Sequence, residues 1–158
     1  MFIVRPPYGK APEAFSKSIF LAGPSPRNSF VSDWREPALT FLTRVGYDGV
    51  VFVPVPEIIT GLSQDDYDNQ IEWERQAMEM SDVILFWVPR SKTLPGFTTN
   101  VEFGEWMKSG KCVLAFPEGA PKMRYLVVKA KWNGIPVAHT LEEGLDMALG
   151  LLDKGATK

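Results

Sequence analysis

The chain has 158 residues, 45% of them hydrophobic and 23% charged, with a formal net charge of -2 at pH 7. That length suits one domain with one substantial core, and the lack of a basic excess argues against polymeric nucleic acid as a partner. One cysteine and one histidine leave no internal disulfide and none of the usual nitrogen and sulfur metal sites, so chemistry with no metal and no cofactor is expected.

The opening MFIVRPPYGK lacks the apolar segment of a secretory signal, and no run is long enough to span a bilayer. A cytoplasmic chain with no membrane partner is expected. Residues 1–17, with Pro6, Pro7 and Pro12, read as irregular. The first strand is expected at 18–22, rich in apolar residues and ending in Gly-Pro-Ser-Pro, and a helix follows at about 32–45. A second strand is expected at 49–54, ending in Pro-Val-Pro-Glu, and a helix at about 67–80. The third strand is read at 82–88, before Pro-Arg-Ser, and a helix at about 99–109. A strand at 111–116, a helix at about 121–130, a strand at 135–138 and a helix at about 140–153 complete the pattern.

Strands alternating with helices predict a single-domain α/β fold, a flavodoxin-like three-layer sandwich on a five-stranded parallel sheet. In such a sheet ligands bind beyond the carboxyl ends of the strands, where strand order reverses. The loops after the strands should therefore line the site, and none carries a glycine-rich phosphate cradle. Cys112, inside the apolar KCVLAF, reads as an inert buried thiol. His139 has no visible catalytic partner, and Asp82, at the start of its strand, lies at the end away from the crevice.

Glu74 is the first residue that local rules leave unexplained. At about 100° per residue, Tyr67, Ile71, Trp73, Ala77, Met78 and Met80 fill one half of their helix, and Gln70 and Glu74 fall near the middle of that half. A carboxylate there needs a partner or holds its proton, which suits either a structural ion pair or a general acid facing the crevice. Glu102 has two readings as well. Thr99-Asn-Val-Glu102 matches a capping box with Thr99 as the cap. The same place in the helix also suits an ionised nucleophile favoured by exposed amides and the helix dipole. Gly104, costly inside a helix, suggests a close backbone approach.

The segments IFLAGP (19–24), SDVILFWVP (81–89) and TTNVEFGEWMKSGK (98–111), in this order and spacing, resemble the nucleoside 2-deoxyribosyltransferase superfamily. The resemblance implies that Glu102 is the nucleophile of a glutamate-x-glycine motif and that Glu74 is the second catalytic carboxylate, at a position usually aspartate. The pair would cleave the N-glycosidic bond of a nucleoside or deoxynucleoside through a covalent glycosyl-glutamate and pass the sugar to another base. Where the transferases carry a tyrosine in the first strand, this chain has Phe20, which opens a hydrolase variant acting on nucleosides or their 5′-monophosphates. Ser25, Arg27 and Ser29 would then hold the phosphate, unless they form an ordinary solvated loop.

Further expectations are substrate contacts from Gly23, Ser25, Gln70, Trp73, Phe97 and Asn100, with Phe86 and Trp87 as other aromatic candidates near the crevice. The implied partner is a small-molecule nucleoside or nucleotide, and a neighbouring subunit is expected to complete the pocket of a homo-oligomer. A different class of reading is a non-catalytic flavodoxin-like domain that senses a nucleotide.

Overall fold

The computed structural model describes residues 1–26, 32–56 and 63–155. Within them the chain runs β1 (Phe2–Val4), β2 (Ser18–Ala22), α1 (Arg35–Arg44), β3 (Val50–Phe52), α2 (Gln64–Met80), β4 (Val83–Trp87), α3 (Phe97–Trp106), β5 (Cys112–Ala115), α4 (Arg124–Trp132), β6 (Val137–Ala138) and α5 (Leu141–Asp153). All strand pairs are parallel, in the order β1-β3-β2-β4-β5-β6. The sheet thus has six strands where five were expected. The extra one, β1, lies in the stretch read as irregular, and pairs with β3 from Phe2 opposite Val50 to Val4 opposite Phe52. Three residues followed by Pro-Pro are too short for periodicity to reveal, and only the partner strand defines them.

Alternation along each strand sends side chains to opposite faces, and that sorts the core into two layers. Phe20, Ala22, Phe52, Ile84, Phe86 and Leu114 meet Ala77 and Met78 of α2, Phe103 of α3, and Leu126 and Ala130 of α4. On the other face Ile19, Leu21, Val51, Leu85, Trp87 and Val113 meet α1 (Ala38, Leu42) and α5 (Leu145, Ala148). Both faces are covered, so the strands are continuous apolar runs with no polar face. Complete burial of each Leu, Ile or Phe contributes about 1.5–3 kcal/mol.

Close approach of helix to sheet occurs at a glycine, but it is Gly144 in α5. A Cβ there would lie 2.8 Å from Ala115 Cβ and 3.1 Å from a Leu85 methyl. The expectation for Gly104 is not met, since a Cβ at Gly104 has open space around it among the described residues. No described helix is long and apolar enough to cross a membrane.

The helix ends also correct the sequence reading. Thr99 is not a cap: α3 starts two residues earlier, after Gly96 in the left-handed conformation (φ 64°). Thr99 is therefore a buried residue of the first turn, and Glu102 lies a turn and a half into the helix, out of reach of a capping box. The capping box belongs instead to α2, where Ser63 Oγ accepts from the Asp66 amide and the Asp66 carboxylate accepts from the Ser63 amide. The carboxyl end of α2 is closed from outside. Lys111 Nζ donates to the carbonyls of Met78, Glu79 and Ser81 at 2.7, 3.0 and 2.9 Å and stands over the Trp106 ring. A cation at that end also complements the helix dipole. One lysine before β5 thereby ties the end of α2 to the end of α3.

Candidate active site

β3 lies on one side of β2 and β4 on the other, so the crevice that opens past β2 and β4 is the switch point of the sheet. Its floor begins at Gly23, directly after β2. Gly23 has φ 151°, and a Cβ there would fall 2.1 Å from the Trp87 carbonyl oxygen, so only glycine lets this loop cross the end of β4. The loop is pinned by the start of α1. Trp34 Nε1 donates to the Pro24 carbonyl at 3.1 Å, Arg35 Nε to Leu21 O at 3.1 Å and Arg35 Nη2 to Gly23 O at 2.7 Å.

Above this floor, between α2 and α3, is a cavity of about 540 Å³, within the range of small-molecule sites. Glu74 from α2 and Glu102 from α3 both line it, with Arg35 beneath. Gln70 Nε2 donates to Glu74 Oε1 at 2.8 Å and to the Pro54 carbonyl at 3.4 Å, which ties the carboxylate to the loop after β3. The cavity mouth is apolar. Tyr67 and Ile71 stand on α2, Phe97 and Val101 on α3, and all four are more than half exposed. Tyr67 and Ile71, expected on the buried half of α2, thus form a rim, and of that half only Ala77 and Met78 are fully buried. The reason is geometric: the amino-terminal half of α2 extends beyond the carboxyl ends of the strands.

Burial raises both carboxyl groups above the ordinary range. For Glu74 the Gln70 hydrogen bond and Arg35 oppose that rise. Glu102 is pushed up to about 7, first by burial and then by the charge on Glu74, against the pull of Arg35. A lowered Glu102 was expected from the helix dipole. The dipole fades within the first turn, and the side chain is beyond it, largely buried in a cavity that it shares with a second carboxylate. The two groups titrate as a coupled pair.

The other residues singled out from the sequence divide by location. Gly23, Ser25, Gln70 and Phe97 line the cavity. Trp73 does not: it packs on Phe20 and Phe52 and donates from Nε1 to the Gly9 carbonyl at 2.8 Å. Asn100 is turned to the far side of α3, where its Oδ1 accepts from Arg90 Nη2. Phe86 and Trp87 are core residues, and Arg27 and Ser29 lie outside the described residues. Cys112 is buried, with its thiol pushed up to about 11 by desolvation. His139 is exposed, its ring edge-on to Phe116. Asp82 bonds Ser18 at the other end of the sheet. Arg35, Tyr67, Ile71 and Val101 were not anticipated as site residues. For Arg35 one signal was available, because a basic residue in the first turn of a helix opposes the dipole.

Compared with known proteins, residues 16–120 match the family described as nucleoside 2-deoxyribosyltransferase like. That span runs from the residues before β2 through α3 and β5 and includes both carboxylates. No curated protein matches the chain.

Proposed function

The chain belongs to the nucleoside 2-deoxyribosyltransferase-like family, and we propose that it cleaves the N-glycosidic bond of a nucleoside or deoxynucleoside with Glu102 as nucleophile and Glu74 as proton donor. The observation that carries this reading is the pairing of two partly buried carboxyl groups, from different helices, in one cavity at the switch point of the sheet. Burial raises both groups and the charge on Glu74 raises Glu102 further, so the two do not ionise independently; the proposed roles require the substrate-bound pair to hold its proton on Glu74 and its charge on Glu102.

A Glu102 carboxylate oxygen attacks C1′ of the sugar. The C1′–N bond breaks, its electron pair stays with the base, and Glu74 delivers a proton to the leaving nitrogen. The product is a glycosyl ester on Glu102. A second base then attacks C1′ and returns a proton to Glu74, and the ester is released as carboxylate. The order of bond changes is that of a retaining glycoside cleavage. The apolar rim of Tyr67 and Phe97 suits the faces of a nucleobase, and Ser25 and Gln70 add polar side chains to the lining that suit the hydroxyls of a sugar.

Water in place of the second base makes the same site a hydrolase. Phe20 favours that variant, since it is wholly buried against Trp73 and offers no hydroxyl to orient Glu102. A neighbouring subunit closing the apolar mouth remains part of the proposal, on family grounds.

Incubation with a 2′-deoxynucleoside and a second free base separates the outcomes. A new deoxynucleoside shows transfer, free deoxyribose alone shows hydrolysis, and neither product with any nucleoside or monophosphate refutes catalysis. A 2′-fluoro-nucleoside should leave a sugar mass on the peptide that contains Glu102, and Glu102→Gln should lower turnover by several orders of magnitude. An active Glu102→Gln protein, or an adduct on Glu74 or Glu105, would overturn the assignment.

A further inference from the structure

Arg35 is a fully buried guanidinium, with no exposed side-chain surface. Three of its N–H groups have partners: Nε on Leu21 O, Nη2 on Gly23 O and Nη1 on Asp33 Oδ1 at 3.2 Å. Its guanidinium carbon lies 4.6 Å from the Trp34 ring centroid. Two backbone carbonyls need only donors, which a neutral side chain supplies without the penalty of a buried charge. Asp33 compensates that charge in part, though its own side chain is about a fifth exposed. The other carboxyl groups placed to compensate it are Glu74 and Glu102, which line the same cavity as Arg35.

We propose that Arg35, fully buried, paired with Asp33 and lining the same cavity as Glu74 and Glu102, is the fixed cation that favours the ionised form of that pair. Arg35 is thus a positioning residue, acting on the reacting groups through their charge state and through the loop it pins. Among the described residues the charged groups around it are few. Asp33 comes from its own loop, Glu74 and the rim residue Arg75 from α2, and Glu102 and Glu105 from α3. Arg75 is occupied by Glu72 and Glu79 on the outer face of α2, so among the described residues the buried positive charge lining the cavity is that of Arg35. Glu102 feels Glu74, Arg35 and Glu105, and Asp33 is linked to the site through its ion pair with Arg35 at 3.2 Å.

That dependence yields a test with opposite signs. The inference rests on the proposed reading for its chemical meaning, but its test needs no substrate: the carboxyl groups of Glu74 and Glu102 are followed by carbon NMR through a pH titration of the whole chain. Asp33→Asn keeps an oxygen for Arg35 and frees its charge, and should lower the Glu102 midpoint by about half a pH unit or more. Arg35→Met should raise it by about one unit, the scale expected for loss of a nearby opposite charge. Arg35→Lys should stay near the wild type in titration while losing stability, because it keeps the charge and loses the fork.

If Arg35→Met does not fold, Asp33→Asn and Arg35→Lys decide the matter. An unchanged midpoint in Asp33→Asn, or a rise in Arg35→Lys, overturns the inference. Midpoints that move as expected in a protein with neither transfer nor hydrolysis would instead sink the functional reading and leave the charge assignment intact.

Discussion

Replacing Glu102 by Gln should make the folded protein more stable above neutral pH, although it removes the proposed nucleophile. The folded carboxyl is raised from 4.5 to about 7, so the folded chain binds this proton more tightly than the unfolded chain. Stability from this group is then fully present below about pH 4.5 and is lost as pH rises through 7. A gap of that size corresponds to about 3 kcal/mol at roughly 1.4 kcal/mol per pH unit, an upper value for a group that keeps some contact with water. Glutamine does not ionise, so the variant escapes the loss. At pH 8 its urea midpoint should exceed that of the wild type, with Tm higher by up to roughly 6–12 °C for a domain of this length. Near pH 4 the two proteins should melt together. Equal stability at pH 8, or a difference that does not change with pH, would refute the claim that Glu102 is held in a destabilised charged form.

Lys111→Met should cost about 2–3 kcal/mol in urea unfolding, because three carbonyls at the end of α2 lose a charged donor; a neutral result would show that water replaces it. Gly144→Ala should destabilise by about 1–3 kcal/mol through contact with Ala115, whereas Gly104→Ala, in open space within α3, should stabilise by up to about 1 kcal/mol. Thermal melts of the two would have to reverse in order for the placement of these helices to be wrong. Gln70→Ala removes the hydrogen bond that favours ionised Glu74, so the alkaline limb of the activity profile should move to higher pH, and an unmoved limb would assign it to another group.

Periodicity was enough to locate β2, β3, β4 and β5 and the five helices, because buried parallel strands are uninterrupted apolar runs and the helices between them repeat at 3.6 residues. It failed where structure depends on distant partners. β1 exists through its pairing with β3, and Tyr67 and Ile71 look like core residues because a rim and a core share one pattern along a helix. The anomaly at Glu74, an acid amid apolar neighbours, was legible and led to the cavity. The behaviour of Glu102 was not, since its rise comes first from burial in a cavity that only the packed helices create and then from the charge on Glu74, 28 positions earlier in the chain. Thr99 and Glu102 misled for the opposite reason: their spacing fits a capping box, but the glycine that starts α3 precedes them. Trp73 and Asn100 were placed near the crevice by sequence distance, and their helices turn them to the core and to Arg90.

The sheet ends in very short strands, three residues in β1 and two in β6. Unpaired strand edges are where chains join into continuous sheets and aggregate, and here a second chain would find few backbone groups to bond on either side. Phe2 and Ile3 leave apolar side chains exposed on the β1 edge, but Pro6 and Pro7 follow one residue after the strand, and proline cannot extend a hydrogen-bond ladder. Edge-to-edge pairing of this chain is thus disfavoured on both sides of the sheet, and a concentrated solution should not bind amyloid dyes.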